Sequence, residues 1–267
     1  MRAPGSSKHD LWVGERGGGE PVLLVPGLGQ AAWTWRDVLP TLAEEYRLIA
    51  FDPRGTGRSP GTALDSIEAM AEDAAAVLDG RQAHVVGLSM GGYVSLTLAL
   101  ARPELVRSLV LVATGGGGPG RVPRPREVAA AFDAARSLPY AEFARETLPL
   151  AFAPGWAERE PQRFEQVLAA RLEHPISFET IDAHTDACYR FYAEGCDAES
   201  IEVPALVVHG DEDRIVPVEN GRMLAARLPN VECVELPGRG HNLPLEEPDT
   251  FSELVLDFLR RCTPSRP

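Results

Sequence analysis

The segment His84-Val85-Val86-Gly87-Leu88-Ser89-Met90-Gly91-Gly92 is what most limits the folds open to this chain. A short apolar run ends in Gly-x-Ser-x-Gly, and a helix-forming run, Tyr93 to Ala101, follows at once. The order is strand, sharp turn, helix, with a serine on the turn. Such a turn strains the backbone of Ser89, so its neighbours must be small, and Gly87 and Gly91 meet that demand. The Ser89 hydroxyl is then expected to stand exposed at the carboxyl edge of a sheet, near the positive end of the next helix. The pattern alone is weak in a glycine-rich chain, so its partners elsewhere have to carry the argument.

Length and charge narrow the setting. The chain has 267 residues, enough for one large domain with an insertion, and at 44% hydrophobic it can bury a sizeable core. A formal net charge of −13 with no basic patch excludes nucleic acid as a partner class. No run approaches 18 apolar residues, so no membrane span is expected. Met1 to Gly19 is polar and Gly-rich with no apolar stretch, so no signal peptide is expected, and the location that follows is cytoplasmic. Cys188, Cys196, Cys233 and Cys262 form no Cys-x-x-Cys pair and read as reduced thiols, although the sequence leaves a Cys188–Cys196 disulfide open. It leaves a homodimer open as well.

Along the chain, strands are expected at Leu11 to Glu15, Pro21 to Pro26, Tyr46 to Phe51, Ala83 to Val86, Val106 to Ala113, Val203 to His209 and Val231 to Leu236. Helices are expected at Trp35 to Glu44, Ser66 to Leu78, Ser89 to Ala101, Val218 to Arg227 and Pro248 to Cys262. Val106 to Ala113 is apolar throughout, as in a parallel strand covered on both faces. Alternation of this kind specifies an α/β fold, a mostly parallel central sheet with helices on both faces. Residues 1–117 and 203–267 form the expected core. Residues 118–202 show helical mixtures broken by Pro139, Pro149, Pro154, Pro161 and Pro175, and read as a helical cap or lid inserted into it.

Chemistry-bearing residues collect at strand ends. A serine hydroxyl needs a base within hydrogen-bond reach, and that base needs an orienting carboxylate. The last strand runs into Pro237-Gly238-Arg239-Gly240-His241-Asn242, and His241 in that loop can reach across the top of a sheet. The strand before it ends in His209-Gly210-Asp211-Glu212-Asp213, which offers carboxylates in the same layer. The chain order Ser89, acid, His241 suits a serine nucleophile on a strand-to-helix turn. His84 and His209 read as structural. The backbone N–H of Met90, after the nucleophile, and that of Leu28, in Pro26-Gly27-Leu28-Gly29, are the candidate donors to an oxyanion. No Gly-x-Gly-x-x-Gly follows the first strand and no Gly-Lys-Ser/Thr occurs, so no nucleotide cradle is expected. No His-x-x-x-His or Cys/His cluster suggests a metal site. No cofactor is called for.

Five segments together resemble the α/β-hydrolase superfamily: Val-Pro-Gly-Leu-Gly from Val25, Phe-Asp-Pro-Arg-Gly-Thr-Gly-Arg-Ser from Phe51, Gly-Leu-Ser-Met-Gly-Gly from Gly87, the Gly210 to Pro217 loop, and Gly-Arg-Gly-His from Gly238. The likeness runs from about Leu11 to Leu259 and is nearest to small serine esterases, enol-lactonases and cofactor-free haloperoxidase-like hydrolases. It implies an α/β-hydrolase fold with Ser89, Asp213 and His241 as a catalytic triad, because the family sets its acid two residues before an Ile/Val-Val-Pro-like turn. Asp211 is the fallback acid. The chain departs from the family at Pro26, where a histidine is usual, and this bears on how the Leu28 loop is anchored. Members that open epoxides or displace halide carry aspartate at the elbow, so Ser89 speaks against both reactions.

The implied reaction is hydrolysis of a small ester, lactone or thioester by water through an acyl-enzyme. C–C bond hydrolysis, amide hydrolysis or perhydrolysis on the same triad is the alternative, and a ligand-binding protein that turns over little is the rival of another class. Trp33, Phe132, Phe152, Trp156, His184, Tyr189 and Tyr192 are the candidate pocket residues, although the aromatics of the insertion serve equally well as its own core.

Overall fold

The computed structural model describes residues 10–263. Most of the polar N-terminal stretch (1–9), and the last four residues of the expected core, lie outside the described residues. Seven strands form one sheet: β1 (Val13–Arg16), β2 (Pro21–Val25), β3 (Arg47–Phe51), β4 (Ala83–Leu88), β5 (Val106–Val112), β6 (Ala205–Gly210) and β7 (Val231–Leu236). Their order is β1-β3-β2-β4-β5-β6-β7, with β1 antiparallel to β3 and every other pairing parallel. Helices in chain order are α1 (Leu39–Leu42), α2 (Ile67–Leu78), α3 (Met90–Ala101), α4 (Arg126–Ala135), α5 (Tyr140–Thr147), α6 (Trp156–Arg159), α7 (Pro161–Glu173), α8 (Phe178–Glu194), α9 (Val218–Ala225), α10 (Leu243–Glu246) and α11 (Pro248–Cys262).

The two faces of the sheet follow from the two-residue side-chain period of a strand. Leu23, Val85, Leu109, Leu111 and Val207 point to one face, where Ala74, Leu78, Val94 and Leu98 of α2 and α3 cover them. Leu24, Val86, Val110, Val112 and Val208 point to the other, against Leu42 of α1 and Phe251, Val255 and Leu259 of α11. Because both faces are covered, the central strands carry apolar residues at nearly every position rather than in alternation.

One expected element takes another form. In place of a helix from Trp35 to Glu44, a 3-10 turn at Ala32–Trp35 precedes the single α-turn of α1. Pro40 is the cause, because a proline fits only the first turn of a helix and prevents one from running through it. All four cysteines are free thiols, so the Cys188–Cys196 pairing does not form. Among the described residues no helix is long and apolar enough to cross a membrane. Helices α4 to α8 all lie between β5 and β6 in the chain.

The junction of β4 and α3 is packed to its limit. A Cβ at Gly87 would stand 2.3 Å from the Gly91 carbonyl oxygen, and one at Gly91 would stand 2.2 Å from the carbonyl oxygen of Val25 at the end of β2. Backbone therefore meets backbone where the serine turn, α3 and β2 converge. Gly87→Ala is expected to lower stability by about 1–3 kcal/mol through overpacking. The check is the urea midpoint at unchanged slope, and an unmoved midpoint would mean that the junction relaxes freely.

Candidate active site

Ser89 has φ +55° and ψ −117°, a conformation that a serine adopts only under constraint. Three hydrogen bonds hold it. The Ser89 N–H donates to the Val112 carbonyl at 2.8 Å, while the Ser89 carbonyl accepts from Gly92 N–H at 2.8 Å and from the Thr114 hydroxyl at 2.9 Å. The turn is thus tied to the adjacent strand β5, and α3 begins at the residue after the serine.

The base and acid meet from two other strand ends. His241 Nδ1–H donates to Asp213 Oδ2 at 2.7 Å. Asp213 Oδ1 accepts from the N–H groups of Ile215 (2.7 Å) and Val216 (2.9 Å), and His209 Nε2 lies 3.1 Å from Oδ2 and 2.8 Å from the Val216 carbonyl. Asp213 and His241 are both buried. Burial pushes the Asp213 carboxyl up, but the imidazoles of His241 and His209 outweigh it and hold the group well below the usual carboxylate range. With Nδ1 occupied by Asp213, Nε2 is the ring nitrogen left for a reacting group. Asp211, the fallback acid, is exposed, and its Oδ1 accepts from Gly238 N–H at 2.6 Å. The structure therefore joins His241 to Asp213.

Ser89 and His241 line one cavity of about 500 Å³. Gly27, Leu28 and Trp33 line it from the loop after β2, and Phe132, Tyr189 and Tyr192 from the insertion. Three expected pocket residues lie elsewhere. Phe152 stacks on Trp156 with ring centroids 4.1 Å apart, and both are buried with Leu148, Phe164, Leu168 and, from α10, Leu245 in one apolar cluster. Stacking of the two rings buries apolar surface of both away from the cavity. His184 is buried behind the Leu28 loop, where its Nδ1 accepts from Gly29 N–H at 3.2 Å, and burial pushes its pKa down to about 4.

Of four other residues that shape the site, only His209 is singled out by the sequence, as a structural group beside the acid loop. Gln30 answers the question raised by Pro26: its Oε1 accepts from Gly27 N–H at 3.1 Å, and its Nε2 donates to Asn242 Oδ1 at 3.2 Å, beside His241. Asn242 is the second. Glu246 is buried and accepts from Gly240 N–H at 2.9 Å and from Ala153 N–H at 3.3 Å, which joins the histidine loop to the insertion. The Ala151 carbonyl strengthens that joint by accepting from His241 N–H (3.2 Å) and Asn242 N–H (2.9 Å). Burial raises the Glu246 carboxyl above its ordinary value although these backbone donors pull it down. His209 is the fourth; it lies four positions before Asp213 and grips the acid directly. Among the described residues no group of three or more His, Cys, Asp or Glu side chains converges as a metal site would require.

A fold with a serine at the β4–α3 turn, an acid after β6 and a histidine after β7 matches a known family profile, that of the alpha/beta hydrolase fold, over residues 20–248. The chain belongs to the α/β-hydrolase family. It is a hydrolase by that membership. RutD of Azorhizobium caulinodans, a proposed carbamate hydrolase, is 33% identical over 254 residues, spanning 93% of this chain and 94% of the relative. A 2-hydroxy-6-oxononadienedioate/2-hydroxy-6-oxononatrienedioate hydrolase of Burkholderia vietnamiensis is 33% identical over 257 residues, spanning 91% and 88%. Among solved structures, the enol-lactonase of Burkholderia xenovorans superposes with a TM-score of 0.78 at 26% identity, covering 94% of this chain and 96% of that one.

Two buried imidazoles add to the acid sensitivity of this hydrolase. His184 is held near 4 by burial, and His84, bonded through Nδ1 to the Ser108 hydroxyl at 2.7 Å, is held near 4 by burial and by the charge of Arg107. An unfolded histidine takes its proton at about 6.5. Between those values the unfolded chain binds more protons than the folded one at these two sites, so their contribution to stability falls as the pH drops through that window and levels off below it. His184→Gln keeps an acceptor for Gly29 N–H and removes one imidazole. It is expected to narrow the difference in Tm between pH 7 and pH 4.5, and an equal difference in both proteins would refute the assignment.

Proposed function

We propose that this hydrolase cleaves a carboxylic ester, lactone or thioester of a small, partly apolar substrate through an acyl-enzyme on Ser89. The observation that carries the reading is the 2.7 Å bond between His241 Nδ1 and Asp213 in the cavity that Ser89 also lines. In this reading His241 Nε2 takes the Ser89 proton as Oγ attacks the carbonyl carbon. The same nitrogen then protonates the leaving group, and water activated by His241 releases the acyl group. Asp213 keeps the proton on Nδ1 and stabilises the imidazolium that forms. The N–H groups of Leu28 and Met90 are the donors for the oxyanion. Supporting that role, neither donates a hydrogen bond to any other group among the described residues, whereas the Gly27 N–H beside them is taken by Gln30. Residues 118–202 act as the cap that gives the cavity its apolar wall, with Phe132, Phe143, Ile176 and Ile181 supplying much of it.

The relatives named for a carbamate and for an oxononadienedioate bring a second reading. The same serine chemistry would then act on a carbamate or a C–C bond beside a carbonyl. A panel of p-nitrophenyl esters, lactones, carbamates and diketones separates the two by kcat/KM.

Ser89→Ala is expected to lower kcat on the best substrate by roughly 10³–10⁶-fold. A fluorophosphonate probe is expected to add its mass at Ser89 of the wild-type chain. Turnover that survives the substitution, or a probe adduct on another residue, would overturn the proposal.

A further inference from the structure

The cavity is positively charged in a negatively charged protein. Arg121, Arg124, Arg136 and Arg171 line it against only two carboxylates, Asp133 and Asp182, although the chain as a whole carries −13. Most arginines here are already matched: Arg145 pairs with Glu165, Arg222 with Glu235, Arg227 with Glu199, and within the cavity Arg136 with Asp182. Arg121, Arg124 and Arg171 have no carboxylate partner among the described residues, and of these Arg121 and Arg124 sit nearest to aromatic faces. Their guanidinium carbons lie over the rings of Tyr192 (4.4 Å) and Phe132 (4.9 Å), and the one hydrogen bond between them is from Arg124 Nε to the Ile215 carbonyl, at 3.3 Å. Neither forms an ion pair with a carboxylate among the described residues. An aromatic face steadies a guanidinium without consuming its N–H donors, which stay available for a planar anion.

Both side chains are coupled to the reacting groups through short links. Tyr192, under Arg121, accepts a hydrogen bond at 3.0 Å from the hydroxyl of Tyr93, which stands on α3 behind the serine turn. Ile215, which receives Arg124, gives its own N–H to Asp213. The Tyr192 hydroxyl and the Cys188 thiol, both close enough to feel these guanidiniums, supply no counter-charge: burial pushes each up to about 12, so both are neutral. Asp133, the lining carboxylate without an arginine partner, is exposed. Two half-buried guanidiniums held on aromatic faces offer charge-assisted donors to an anion, in the same cavity that Ser89 lines.

We propose that Arg121 and Arg124 form an anion subsite, and that the preferred substrate carries a carboxylate on the chain attached to its scissile carbonyl, as in the half-ester of a dicarboxylic acid. This inference rests on the hydrolytic reading above for its chemistry, and on the arginines alone for its charge preference. The test compares mono-p-nitrophenyl adipate with p-nitrophenyl hexanoate, which differ in the terminal carboxylate. The kcat/KM ratio is expected to favour the half-ester by about tenfold or more, mainly through KM, the return on a charge-assisted contact. In Arg121→Gln/Arg124→Gln, with Tm measured to establish folding, the ratio is expected to fall towards one. Equal rates on the two esters, or a preference that persists in the folded double variant, would overturn the anion subsite while leaving the hydrolytic reading intact. If neither ester turns over, the hydrolytic reading fails and calorimetry on the wild-type chain decides the subsite. Monomethyl adipate binding tighter than dimethyl adipate supports it, and equal affinities overturn it.

Discussion

Much of the site depends on one buried carboxylate. A lone carboxylate out of water costs several kcal/mol, and Asp213 is tolerable only because donors surround it. Two come from the backbone of its own loop, at Ile215 and Val216, and two are imidazoles, His209 from β6 and His241 from the loop after β7. The group thereby does two jobs at once. It closes the loop on which it sits, and it draws a histidine from another strand to a defined position. Packing enforces the approach, since a Cβ at Gly210 would stand 2.2 Å from the Arg239 carbonyl oxygen.

The other half of the site is held by a parallel device. Asp52, fully buried at the end of β3, accepts from Ala32 N–H at 2.9 Å and from Arg58 N–H at 2.8 Å. It fixes the far end of the glycine loop, while Gln30 and His184 fix the near end. Ser89 then sits between two loops that are each pinned by a buried polar group. Strain at its backbone costs about 1–3 kcal/mol and persists because hydrogen bonds to Val112 of β5 and to Thr114 just beyond it hold the turn.

The segment between β5 and β6 touches the histidine loop as well as the cavity. The Ala151 carbonyl and the Ala153 N–H tie it to His241, Asn242 and Glu246, so the segment that walls the cavity also steadies the histidine loop. Its charge has a distinct pattern too. Many surface arginines pair with carboxylates, and three of the four that line the cavity, Arg121, Arg124 and Arg171, form no such pair among the described residues. A field of that sign, focused by a low-dielectric wall, is how an acidic protein attracts a small anion without attracting large ones.

What the sequence determined by itself was whatever a short stretch of backbone decides. The strand–turn–helix around Ser89, the parallel sheet and the loop ends bearing Asp213 and His241 were legible because strand periodicity, glycine at crowded turns and apolar runs are local rules. Pro40 was legible as well, yet the helix expected across Trp35 to Glu44 ignored it. Which aromatics face the cavity was decided only by tertiary packing. Phe132 and Tyr192 turn inward while Phe152 and Trp156 turn to each other, a choice set by partners from other helices. The contacts of Gln30 with Asn242, of His184 with Gly29 and of Glu246 with Ala153 were unreadable for the same reason: each joins groups far apart in sequence. Hydrogen bonds of that kind exist only once the chain has closed, because a polar side chain takes its role from the unpaired donor it meets in the fold.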